Sequence, residues 1–117
     1  MDINHNNIIS AGGNYTQKGI INISKLDEIK NEIKSIQTIT KDNNNGHSKS
    51  VRCLVRMNEK MFISGSWDKS MKVWMSSSND GEYKCIQTIT YENNNGHSYA
   101  VYCLIRMKEN MFISGSW

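Results

Sequence analysis

The chain has 117 residues, of which 38% are hydrophobic and 21% charged, and carries a formal net charge of +3. It has the size of one small domain or part of a larger one, with no run near the roughly 18 apolar residues that a membrane helix requires. The opening MDINHNNIIS lacks the basic flank and apolar core of a secretory signal. Cys53, Cys85 and Cys103 are odd in number and form no CxxC pair, which argues against a disulfide framework and points to a reducing, cytoplasmic or nuclear setting. A charge of +3 spread along the chain is too slight to imply nucleic acid.

In chain order, Ile8 and Ile9 open a short apolar stretch, followed by a second around Ile20, Ile21 and Ile23. Leu26, Ile29, Ile33 and Ile36 then recur at intervals of three, four and three with Glu and Lys between them. That spacing suits an amphipathic helical turn at about residues 25–31. Residues 33–40 are read instead as a strand, because they align with residues 83–90, where helical spacing is absent. Val51 to Met57 and Met61 to Ser66 are short apolar, β-branched runs, broken by a tight turn at Trp67, Asp68 and Lys69. Met71 to Met75 alternates apolar and polar, and Tyr83 to Thr90 is again β-prone. The segments SSSNDGE at 76–82 and ENNNG at 92–96 are built of turn residues and read as loops.

These elements repeat. Residues 32–67 match residues 82–117 at a constant offset of 50, with 26 of 36 positions identical. A gapless match of that length is a duplication. Four strands per 50 residues is the signature of a propeller blade.

The repeated residues resemble the WD-repeat family. The Gly-His pair is Gly46 and His47, the following strand begins Val51, the Ser-Gly-Ser-x-Asp turn runs from Ser64 to Asp68, and a strand ends at Trp74. Met75 stands where the family has Asp, and an Asn-rich insert lengthens each unit. The resemblance implies an all-β fold, a WD-repeat β-propeller segment of about two four-stranded antiparallel blades plus a partial third. Expected boundaries are a degenerate partial blade at 1–45, a complete one at 46–90 and a truncated one at 91–117. In the first, Ser10 and Asn14 fall at the Ser and Asp positions, but no Trp follows. In the last, the sequence stops at Trp117, one residue before the Asp position, as in a piece of a longer propeller.

The resemblance further implies a buried hydrogen-bond chain of Asp68, His47, Ser64 and Trp74, with His97 and Ser114 repeating two of its members. A buried carboxylate or indole left without a partner costs about 1–3 kcal/mol, so such a chain is kept whole or lost together. It also implies one exposed face of the ring, lined by Ser50, Arg52 and Trp67 in one unit and by Ala100, Tyr102 and Trp117 in the next. Trp, Tyr and Arg dominate binding hot spots.

Chemistry at a metal or a nucleophile finds little support. His47 and His97, like Cys53 and Cys103, are one repeat position seen twice, and no close ligand pair exists. The calcium-loop look of DNNNG fails, because with Gly46 as loop position six, Lys41 and Arg52 stand where carboxylates are required. Ser, His and Asp occur without a glycine elbow or oxyanion feature. The expectation is therefore a noncatalytic scaffold or substrate-receptor segment that binds protein or peptide partners, with no cofactor, no metal and no membrane. Either further propeller blades or self-association would cover its open ends. Two other classes stay open. One is a nucleic-acid-binding propeller using Lys49, Arg52, Arg56 and the tyrosines; the other is a targeting or accessory domain of a larger enzyme such as a ubiquitin ligase or a kinase.

Overall fold

The computed structural model describes residues 7–12, 18–77, 82–94 and 96–116. Among them, strands β1 (Asn7–Gly12), β2 (Ile20–Asp27) and β3 (Glu32–Ile39) form one antiparallel sheet. A second sheet holds β4 (Val51–Asn58), β5 (Met61–Ser66), β6 (Met71–Ser76) and β7 (Tyr83–Ile89), and a third pairs β8 (Val101–Lys108) with β9 (Met111–Ser116). Within each sheet, strands consecutive in sequence pair with each other, so each sheet is an antiparallel meander. The chain is all-β in architecture, three stacked antiparallel sheets of three, four and two strands.

The helical spacing of Leu26 and Ile33 has another cause. The two residues are cross-strand partners in the β2–β3 hairpin, as are Lys25 with Lys34 and Asp27 with Glu32. No helical turn forms at 25–31. Instead the Asp27 carboxylate accepts from the Ile29 and Lys30 amides, at 3.0 and 3.2 Å, and Asn31 takes a left-handed φ of 55°, the mark of an Asn-tolerant turn.

The Asn-rich segments also depart from plain loops. Each contains one helical turn, α1 (Lys41–Asn44) and α2 (Tyr91–Asn94). In the second, the Thr90 hydroxyl accepts from the Asn93 amide at 3.3 Å while the Asn93 carboxamide accepts from the Thr90 amide at 2.8 Å, a reciprocal cap. The first turn closes when the Gly46 amide donates to the Thr40 carbonyl at 2.9 Å. A Cβ at Gly46 would lie 2.7 Å from the Thr40 carbonyl carbon, so only glycine lets the chain pass there.

Two apolar layers hold the sheets together. Between the first and second lie Ile21, Ile23 and Ile39 against Val51, Phe62, Trp74 and Tyr83. Phe62 stacks on Trp74 with ring centres 6.0 Å apart and meets Tyr83 edge-on at 5.1 Å, geometries that add to simple burial. Between the second and third lie Met57, Ile63, Met71 and Val73 against Val101 and Leu104. Sandwiched on both sides, β5 and β6 are buried almost continuously, as strands covered on both faces are. Gly65 permits the close approach of β8, for a Cβ there would sit 2.7 Å from Val101 Cγ1 and from Cys53 Sγ. Burial pushes the Cys53 thiol up to about 11, with Cys103 adding to the effect, so it packs as a small protonated residue. All three cysteines are free.

A polar clamp joins the outer strands of the first two sheets. Gln37 Nε2 donates to the Tyr83 carbonyl at 2.9 Å, and the Tyr83 amide donates to Gln37 Oε1 at 2.8 Å.

Candidate functional site: a buried polar chain beneath an aromatic and cationic hollow

His47 leaves the Gly46 crossing and enters the second sheet fully buried. Its Nδ1 lies 2.8 Å from Asp68 Oδ2, and its Nε2 lies 2.6 Å from Ser64 Oγ. Trp74 Nε1 donates to the same Ser64 oxygen at 2.9 Å. One tautomer satisfies all three groups: the Nδ1 proton goes to Asp68, while the Ser64 hydroxyl donates to Nε2 and accepts from the indole. The carboxylate has further partners that the sequence does not single out. Asp68 Oδ2 accepts from the Ser48 amide at 3.0 Å, and Oδ1 accepts from the Ser70 amide at 2.9 Å and the Ser70 hydroxyl at 2.5 Å. Burial alone would raise the Asp68 carboxyl, but the His47 hydrogen bond and charge, then Ser70 and Ser48, outweigh it and hold the group at about 2.

A serine, a histidine and an aspartate in this order also describe a hydrolase triad. Ser64, however, is fully buried and its oxygen already takes the Trp74 proton, so no carbonyl substrate can reach it. Among the described residues no cluster of three His, Cys, Asp or Glu side chains could hold a metal, and no helix is long and apolar enough to cross a membrane.

In the third sheet His97 Nε2 lies 2.8 Å from Ser114 Oγ, with both residues half-buried. Ser10, in the first sheet, is exposed on β1. Asn14 and Trp117, assigned to the Asp position of the first unit and to the binding face, lie outside the described residues.

Above the network, the turn at 66–70 shapes the surface. Ser66 Oγ accepts from the Asp68 amide at 3.0 Å and donates to the Ser50 carbonyl at 2.9 Å, while the Trp67 amide donates to that carbonyl at 3.0 Å. Ser50 is therefore no surface residue. At 2% exposure it is covered by the turn that its own carbonyl anchors, and the expected face loses this member. Trp67 is half-buried rather than freely exposed, with the Arg52 guanidinium 5.0 Å from its ring centre, within cation–π range. Trp67 meets Ala100 and Tyr102 of the neighbouring unit around a hollow of about 240 Å³ that Lys49 and Lys69 complete. Lys69 has no sequence signal beyond its place after Asp68. Its backbone is left-handed, with φ at 72°, a conformation that a turn of this tightness imposes.

Arg56, a candidate for nucleic-acid contact, is elsewhere. It lines a separate hollow with Asn58, Glu59, Lys60, Arg106 and Glu109, at the far end of β4 from Arg52. Arg56 and Arg106 are thus in a different hollow from Lys49 and Lys69.

Residues 34–75 match the family model for the WD domain, G-beta repeat. The matched stretch holds His47, Ser64, Asp68 and Trp74. Among curated proteins no significant match is found.

Proposed function

We propose that the chain is a WD-repeat propeller segment that works as a noncatalytic interaction scaffold, with the face around Trp67 as its partner surface. In this reading residues 1–45, 46–90 and 91–117 are successive blades. The observation that carries it is the hollow where Trp67 of one unit meets Ala100 and Tyr102 of the next, flanked by Arg52. Three properties support the assignment. The frame beneath is rigid, since the turn bearing Trp67 is tied to His47 and Ser50 by hydrogen bonds. The surface side chains are those that concentrate binding energy. The Ser, His and Asp that could suggest chemistry are committed to each other and to Trp74. A protein or peptide is the natural partner of such a surface, and the setting consistent with three free thiols is a reducing one. A receptor arm of a ubiquitin ligase, a targeting module beside a kinase and a plain scaffold all use the same display of side chains on fixed turns.

The test is a Trp67→Ala variant in affinity capture with quantitative mass spectrometry, next to a Glu28→Ala control on the distant β2–β3 turn. The expected result is a set of proteins retained by the wild type and the control but lost by Trp67→Ala, with the melting temperature of all three within a few degrees. A large fall in melting temperature with capture preserved would make Trp67 a packing residue and end this reading.

A further inference from the structure

The charges around the Trp67 hollow are of one sign. Lys49 and Lys69 line it, and Arg52 stands over the Trp67 ring. The neighbouring carboxylate, Asp68, is spent on His47, the Ser48 amide and Ser70. Among the described residues no carboxylate forms an ion pair with Lys49, Arg52 or Lys69. Two other hollows mix charges of both signs. Lys25 and Lys34 share theirs with Asp27 and Glu28, and Arg56, Lys60 and Arg106 share theirs with Glu59 and Glu109. Lys69 also borders a second hollow with Asp68 and Glu92; on the Trp67 side, Lys49, Arg52 and Lys69 lie near one another and create a local positive potential. Lys69, moreover, holds a left-handed backbone that glycine or asparagine would adopt with less strain, so its side chain sits at the tip of the turn at some conformational cost.

From this geometry we infer that the hollow takes an acidic side chain of a peptide partner, its carboxylate between Lys49 and Lys69 and its aliphatic stem against Trp67 and Tyr102. The inference rests on the reading of this face as a partner surface and gives that surface its chemical class. Size favours a peptide over a nucleic acid. A hollow of about 240 Å³ admits one or two side chains, whereas a nucleic-acid strand needs a groove of cations following its backbone, and Arg56 and Arg106 lie in a different hollow.

The experiment follows the Trp67 indole N–H resonance of the ¹⁵N-labelled chain, assigned by its loss in Trp67→Phe. Probes are a short peptide of alternating glutamate and serine, its glutamine-for-glutamate counterpart, and single-stranded oligothymidylate. The glutamate peptide should shift the Trp67 signal, and high salt should weaken that binding. The glutamine peptide should leave the signal in place. Lys69→Gln should weaken the glutamate peptide several-fold, and Lys49→Glu combined with Lys69→Glu by at least about tenfold, with backbone resonances away from the hollow unmoved. Equal shifts from glutamate and glutamine peptides would overturn the charge assignment and leave the partner surface standing. Tighter binding of oligothymidylate than of the glutamate peptide would overturn the peptide assignment in favour of nucleic acid. Silence of Trp67 toward every probe would overturn the acidic-peptide inference, while the capture experiment with Trp67→Ala would still decide the partner surface.

Discussion

Residues 51–66 and 101–116 share 12 of 16 amino acids, and they form the same hairpin with the same irregularities. Val51 pairs with Ser66 as Val101 pairs with Ser116, and both ladders slip after the first pair and before the last. Val51 and Val101 are both buried, but other equivalent positions differ sharply. Met57 is 3% exposed and Met107 56%; Ile63 is 2% exposed and Ile113 51%. Local sequence thus writes the register and the bulges, whereas burial is supplied by whatever lies against the sheet. Val101 and Leu104 cover the face of the second sheet, and nothing among the described residues covers the matching face of the third. The glycines agree. A Cβ at Gly65 would strike both Cys53 and Val101, but one at Gly115 would meet only the Cys103 sulfur.

The largest test of that contrast is Trp74→Ala. It removes a fully buried ring stacked on Phe62 together with the donor that Ser64 receives. The expected loss is about 3–5 kcal/mol in urea unfolding, enough to unfold a marginal chain. A loss near 1 kcal/mol would mean the aromatic layer can collapse around the gap.

A sharper version uses one amino acid at two equivalent positions. Met57→Ala should cost about 2–3 kcal/mol, while Met107→Ala should stay within about 0.5 kcal/mol, as exposed substitutions do. Equal costs would show that the third sheet is covered in solution, by a second copy or by further chain.

The smallest effect concerns the carboxylate that the second sheet has and the third lacks among its described residues. The Asp68 carboxyl sits at about 2 against an ordinary 3.8. A depressed carboxyl stabilises the fold above its unfolded value, and that contribution disappears as the pH falls from about 4 through about 2. It should amount to about 2 kcal/mol. Asp68→Ala should therefore melt lower than the wild type at neutral pH and lose less on acidification across this window. Asp42, fully exposed and lowered by its hydrogen bond and charge pairing with Lys18, gives the control. Asp42→Ala should follow the wild-type curve in scanning calorimetry, and matching shifts for both variants would deny Asp68 its special place.

Strands, turns and the division into three sheets were legible because the pattern occurs twice at an offset of 50, so each ambiguous run could be read against its copy. The one helical spacing, at Leu26 and Ile33, misled because a β-hairpin can bring such residues face to face as well as a helix can. The meeting of His47, Asp68, Ser64 and Trp74 came from family resemblance and could not come from spacing. The hydrogen-bonded pairs lie 10–21 positions apart, and nothing in composition says which serine faces which histidine. The partners Ser48, Ser66 and Ser70 carry no sequence signal of their roles for the same reason. A serine in a turn reads alike whether it caps a carboxylate or faces water. Ser50 was misplaced because its burial depends on a turn 16 residues away.

The clamp between Gln37 and Tyr83 has a mechanical consequence. A carboxamide carries the same donor and acceptor as a peptide group, so Gln37 docks on the Tyr83 backbone as a missing strand would. Successive peptide groups along a strand point to opposite sides, with a rise of about 3.3 Å per residue. If the first sheet slid along the second by one residue, Gln37 would face a backbone unit turned away, and both hydrogen bonds would be lost at once. Only a slide of two residues, about 7 Å, would offer an equivalent pair. The side chain therefore behaves as a detent, converting a junction of smooth apolar contacts, which tolerate small shear, into one with discrete allowed positions.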